Sequence, residues 1–157
     1  MSERYTRPRE DEGERLDRQW NELLQELRLA QTGTQILFAF LLSIAFQQRF
    51  QDADAFTHTV FAVTLVTTAL AMGLFLAPVS FHRIVFQQKV RDRMIPIADK
   101  LAAAGLVFLV AAIAGGLLLA IDVVLSRTVA LIVDGVVLIC FLLLWYVLPA
   151  WVKRNND

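Results

Sequence analysis

Cysteine occurs once in the 157 residues, histidine twice and proline four times, and charged side chains are missing from several long stretches. A single thiol, Cys140, allows no disulfide and no cysteine-based metal site within one chain. Its neighbours Val137, Leu138, Ile139, Phe141 and Leu142 mark it as a small apolar residue rather than a nucleophile. Two histidines, His58 and His82, supply too few ligands for a metal centre. The chain lacks GxSxG, GxxxxGK[ST] and HExxH, so nothing supports an enzyme, and no cofactor is expected. Lys+Arg and Asp+Glu number 15 each, which leaves no global basic field to attract nucleic acid. A cleavable signal peptide is not expected, because the first 28 residues hold 14 charges and no apolar core.

What is present is apolar. Hydrophobic residues make up 57% of the chain, charged residues 19%, and mean hydropathy is +0.54, which excludes disorder and a secreted disulfide scaffold and points to a membrane protein. Crossing ~30 Å of hydrocarbon takes about 20 helical residues. Four segments meet that length, at roughly 29–48, 59–81, 101–122 and 128–149. The third contains no polar side chain between Leu101 and Ile121, and the fourth contains one charge, Asp134. Short connections predict an all-α, four-helix antiparallel bundle.

Orientation follows from the positive residues outside the spans. The N-terminal segment, the loop between the second and third spans and the C-terminus together hold thirteen Lys and Arg, against Arg49 and Arg127 in the two opposite loops. Both termini are therefore predicted to be cytoplasmic, in the bacterial inner membrane. Trp145, Tyr146 and Trp151 bracket the cytoplasmic end of the fourth span, where amphipathic rings favour the interface.

Residues 1–9 read as a flexible N-terminus. Over residues 10–28, Leu16, Trp20, Leu23, Leu24 and Leu27 recur at helical spacing among charges, which predicts an amphipathic cytoplasmic helix ahead of a membrane domain at 29–157. The stripe continues through Gln31, Thr34, Gln35 and Phe38, with Gly33 the one break, so a continuous or gently hinged helix of about 35 residues is predicted. Over residues 1–28, eight acidic residues against six basic ones argue against a simple anionic-lipid anchor. The apolar face therefore calls for a helical partner: an oligomer, another membrane protein, or the loop His82–Lys100. In that loop Val85, Phe86, Val90, Met94 and Ile97 lie roughly on one side, and Pro96 resets the chain before the third span. The second and third spans are expected to project past the bilayer as helical extensions.

A few residues are costly enough in a bilayer to need a reason. Asp134 lies six residues into the fourth span, on the order of 9 Å inside the hydrocarbon edge, where an ionised carboxylate is expensive. The ordinary account is an ion pair with Arg127, two turns earlier and about 20° off the same face, or with Arg49; the functional account is proton carriage. Asp122 closes the third span as a solvated helix end, or joins Asp134, Arg49 and Arg127 in an outward polar cluster at the mouth of a pathway. Gln31 and Gln35, four residues apart, join helices or line a vestibule. Thr64, Thr67 and Thr68 are expected to bond back to their own helix. His82 and Arg83 complement the C-terminus of the second span and fix topology, or form a pH-responsive contact with Glu22 or Glu26. Small residues spaced by four, Ala111 with Gly115, Ala112 with Gly116 and Ala69 with Gly73, permit close helix approach.

The stretch ERLDRQWNELLQELRLAQTGTQILFAFLLSIAFQQRF (Glu14 to Phe50), followed by APVSFHRIVF (Ala77 to Phe86), resembles an uncharacterised actinobacterial family of small four-span membrane proteins, a domain of unknown function. The similarity covers most of the chain. It implies an actinobacterial inner-membrane protein and assigns no active site; members are sometimes labelled sodium:proton antiporters. Large antiporters use many spans and broken helices with acids at the midplane, whereas this chain offers four spans and one off-centre acid. Two functions follow from the residues. The first is an oligomeric structural or accessory membrane protein. The second is a small oligomeric channel or cation/proton transporter using Asp134 and the Gln31/Gln35 face.

Overall fold

The computed structural model describes residues 11–85 and 91–155, without the side chains of Glu12, Arg49, residues 82–85, residues 91–93, Tyr146, Lys153 and Asn155. All its regular structure is helical: α1 (Glu12–Ala45), α2 (Gln48–Gln51), α3 (Ala55–Val85), α4 (Arg91–Val124), α5 (Arg127–Leu142), a π-helical turn (Leu143–Val147) and α6 (Leu148–Asn155). Four helical stretches are long and apolar enough to cross a membrane: Gly13–Ala45, Ala55–Phe81, Met94–Val124 and Arg127–Val152.

Helix α1 starts at a capping box. Asp11 Oδ1 accepts from the backbone N–H of Glu14 at 2.7 Å, and Glu14 Oε2 accepts from the N–H of Asp11 at 3.4 Å. From there α1 runs for 34 residues without a break at Gly33, so the charged N-terminal segment and the first apolar span are one helix. A Cβ on Gly33 would meet nothing within 4 Å.

The core lies where α1, α3 and α4 meet, and its spacing is seven residues. On α1 the buried positions are Trp20, Leu27, Thr34 and Leu41; on α4 Ala98, Gly105, Ala112 and Leu119 are buried at the same spacing, with Met94 and Ala114 buried beside them. On α3 the buried series is Thr57, Phe61, Thr64, Thr68, Ala71, Phe75 and Pro78, alternating steps of four and three. This is the spacing of helices that pack knobs into holes. Small residues set the approach of α4 to α3. A Cβ on Gly105 would stand 2.5 Å from Phe75 Cε1, and one on Gly115 would collide with Thr64 Oγ1. Ala112 is likewise fully buried, whereas Ala69 and Gly73 face outward, and nothing lies within 4 Å of a Cβ built on Gly73. Of the predicted small-residue pairs, Ala112 with Gly116 packs, Gly115 packs while its partner Ala111 is exposed, and the pair on α3 does not pack.

Apolar clusters mark the two ends of the seam. Leu41, Phe61 and Leu119 pack together with Ile44, Ala45 and Phe50 at one end. At the other, Trp20 packs with Met94 and Ala98, flanked by Leu23, Leu24 and Ile95. The apolar stripe of the charged segment is thus covered by the start of α4. Met94 and Ala98 are buried there, while Ile97 is 44% exposed and only rims the small gap beside Trp20 and Pro78. Phe86 and Val90, assigned to the same stripe, lie outside the described residues, as do residues 1–9.

Pro96 does not reset the chain. Among the described residues α4 runs from Arg91 to Val124 and continues through Pro96, whose ring costs the helix one backbone hydrogen bond without ending it. The 34 residues of α1 and α4 and the 31 of α3 give lengths of roughly 45–50 Å, so the seam outruns a bilayer by about 15–20 Å at the Trp20 end. Helix α5 stands apart from the seam, packing chiefly along α4 with Ala130 its one buried residue.

Candidate functional site

Three helix ends converge on the guanidinium of Arg127. Its Nη2 donates to Asp54 Oδ2 at 2.7 Å and to Asp122 Oδ2 at 3.3 Å, and its Cζ lies 4.1 Å from the centre of the Phe56 ring. Asp54 immediately precedes α3, Asp122 lies in the last turn of α4, and Arg127 opens α5. Asp54 also caps α3: its Oδ1 accepts from the backbone N–H of Thr57 at 3.0 Å and from the Thr57 hydroxyl at 2.7 Å. The same hydroxyl lies 3.5 Å from Asp122 Oδ2. These bonds from Thr57, and then the one from Arg127, hold the Asp54 carboxyl at about 2, below its ordinary 3.8. Two carboxylates, one guanidinium and one hydroxyl close on one another.

The structure therefore brings Asp122 and Arg127 together and leaves Asp134 out of the cluster. Arg127 turns away from the α5 face to meet α3 and α4, where two carboxylates are closer than the one two turns along its own helix. Asp134 falls on the α4-facing stripe of α5 with Ala130, Val137 and Phe141, half-buried. Its Oδ1 is sealed from solvent and has no hydrogen-bond partner among the described residues. The side chains of Arg49, His82 and Arg83 lie outside the described residues. Asp54, Thr57 and Phe56 had been passed over, although Asp54 followed by Thr57 at the third helical position was a readable N-cap.

The other polar groups of the apolar helices are mostly consumed locally. The hydroxyls of Thr64, Thr67 and Thr68 donate to carbonyls of their own helix, at Val60, Val63 and Thr64 respectively, at 2.6–2.8 Å. Thr34, fully buried, donates to Ala30 O at 2.7 Å, and Thr32 to Arg28 O at 2.9 Å. The two glutamines part company. Gln31 is half-buried beside the seam, and Gln35 is exposed, because Thr34 occupies the seam position and the next residue turns 100° away. A groove of about 480 Å³ opens between α1 and α4, lined by apolar and small residues that include Gly33, Leu37, Phe40, Ile113 and Gly116. Among the described residues, no three of His, Cys, Asp and Glu gather as a metal site would require.

Residues 9–149 match the model of a family of unknown function, DUF6328. The chain belongs to that family. No curated protein and no solved structure matches it. The match covers the first three apolar helices, the fourth as far as residue 149, and the whole charge cluster, so the features above lie in the family's own region of the chain.

Proposed function

We propose that this DUF6328 protein is an oligomeric structural or accessory component of the bacterial cytoplasmic membrane, from an actinobacterial cell as the resemblance implies. Its four spans run antiparallel with both termini in the cytoplasm; the thirteen-to-two asymmetry of Lys and Arg supports that orientation. One observation carries the structural reading: most polar groups of the apolar helices are spent on the fold itself. The threonines bond to their own helices, the charges at the Arg127 end close on one another, and the groove between α1 and α4 is apolar. A hydrophilic path has little to be built from. Partners are the bilayer, further copies of the chain and, through the exposed Glu22 and Glu26 of α1, another membrane protein.

A second reading is favoured by a specific atom. The unbonded Oδ1 of Asp134 suits a small oligomeric channel or cation/proton transporter, the class to which a sodium:proton antiporter label belongs. Proton and monovalent-cation flux into liposomes, wild type beside Asp134→Asn at equal oligomeric size, separates the two. The structural reading expects no flux above empty liposomes from either protein, at any pH and either sign of potential. Wild-type flux that Asp134→Asn abolishes overturns it.

A further inference from the structure

Two carboxamides of α1 make no hydrogen bond among the described residues: Gln31 is half-buried beside the seam, and Gln35, one turn on, is fully outside it. Within the 29–48 span Gln35 lies about 9 Å from one end and about 20 Å from the other by helical rise, well inside a ~30 Å hydrocarbon layer. Its side chain is exposed. The neighbouring polar residues on the outward side of α1 solve the problem locally: Thr32 donates to Arg28 O at 2.9 Å, and Ser43 to Phe40 O at 2.7 Å. Gln35 makes no hydrogen bond among the described residues. At that depth a glutamine is too short to reach either interface, and lipid tails offer neither donor nor acceptor.

The surroundings of Gln35 repeat the pattern of the internal seam. Thr32, Gln35, Ala39, Leu42 and Phe46 are all exposed and are spaced by three, four, three and four residues. That is a second knobs-into-holes stripe on α1, with a small residue next to the polar one and nothing of its own chain against it. A carboxamide carries both a donor and an acceptor, so two of them pair with each other. When copies of one chain are inserted the same way, a two-fold axis along the membrane normal brings each residue opposite itself at equal depth. Gln35 meets those conditions and Asp134 does not, since Asp134 is half-buried on the helix that packs along α4.

We infer that this stripe is the interface of a parallel homodimer, with the two Gln35 carboxamides hydrogen-bonded across the axis. The inference deepens the oligomeric reading above and rests on it. It names the occupant of the stripe as a second copy of this chain.

The test uses full-length protein in membranes with Cys140→Ser as background, carrying one new cysteine at a time: Ala39→Cys on the stripe, Phe40→Cys on the groove side of α1, and Ile139→Cys on the exposed side of α5. Mild oxidation is expected to link Ala39→Cys into a covalent dimer several-fold faster than either control. In the otherwise native chain, Gln35→Leu is expected to raise the dimer dissociation constant roughly 3- to 20-fold with helicity unchanged. Equal or faster linking at Phe40→Cys or Ile139→Cys, in a protein that does self-associate, overturns this interface alone. A protein monomeric at every protein-to-lipid ratio overturns the interface and the oligomeric reading together. A dimer indifferent to Gln35→Leu removes the carboxamide pair and with it the inference.

Discussion

The guanidinium of Arg127 donates to the carboxylate of Asp54, 73 residues earlier in the chain, at 2.7 Å. That contact ties the start of α5 to the start of α3, two helices with little else between them. Because both side chains are about half exposed, the pair owes its effect to its place in a network with Thr57 and Asp122 rather than to Coulomb attraction alone.

The pH dependence of this network has a definite sign. Asp54 is held at about 2 in the folded protein, below the 3.8 of the unfolded chain. A depressed carboxylate contributes stability that is complete above the unfolded value and is lost as pH falls through the folded one. Wild-type protein should lose melting temperature between about pH 4 and pH 2, and Asp54→Asn should start lower and lose less across that window. Melting curves followed by circular dichroism at pH 2–6 check this. Parallel wild-type and Asp54→Asn curves would mean that the network gives Asp54 no special role.

Two glycines should respond oppositely to alanine. In Gly115→Ala the new methyl is driven into Thr64, within a seam already at van der Waals contact, and overpacking of this kind costs about 1–3 kcal/mol. Gly73→Ala meets open space and should be neutral or stabilise by up to about 1 kcal/mol through the helix preference of alanine. Adding Thr64→Ala to Gly115→Ala should recover much of the loss, because it removes the atoms that the new methyl strikes. Unfolding in mixed micelles measures all three, and equal costs at Gly73 and Gly115 would contradict the packing described.

Trp20 belongs to the part of the seam that outruns the bilayer, where burial draws on the ordinary hydrophobic effect. It is 8% exposed and packs on Met94 and Ala98. Trp20→Ala should cost about 3–5 kcal/mol locally. The loss should appear as faster amide exchange over residues 12–24 and 94–98, with protection unchanged from Leu37 to Leu41. Exchange that rises evenly along α1 would show that the extension is not held by this contact.

Much of this fold was legible because the bilayer writes a coarse code. Four apolar runs, the amphipathic stripe from Leu16 to Leu27 and the continuity of α1 past Gly33 all follow from composition and a 3.6-residue period. The finer assignments failed where one residue's place decides. Thr34 and Gln35 both fit a broad apolar stripe, but only a seven-residue seam through Leu27 and Leu41 puts Thr34 inside and Gln35 outside, and that seam is fixed by α3 and α4. Arg127 was matched to Asp134 by its own helix period, whereas its partners came from α3 and α4. Pro96 has the sequence look of a boundary because a proline ends many helices, yet α4 continues through it.

Asp134 is where this misassignment has a measurable consequence. An ion pair with Arg127 would make Asp134→Asn destabilising, since the guanidinium would lose its counter-charge. In the structure Arg127 is held by Asp54 and Asp122, and Asp134 keeps one oxygen sealed without a partner among the described residues. Removing a polar group that nothing satisfies does not cost the fold a bond. Asp134→Asn should therefore leave the melting temperature unchanged, and Asp134→Leu, which replaces the unbonded oxygen by hydrocarbon on the α4-facing stripe, should stabilise by about 1–3 kcal/mol. Thermal unfolding of both variants beside Arg127→Gln gives the comparison. If Asp134→Asn melts as low as Arg127→Gln, a cation other than the committed Arg127 meets Asp134 in the membrane, and Arg49→Gln beside it tells a partner in the same chain from one in a second molecule.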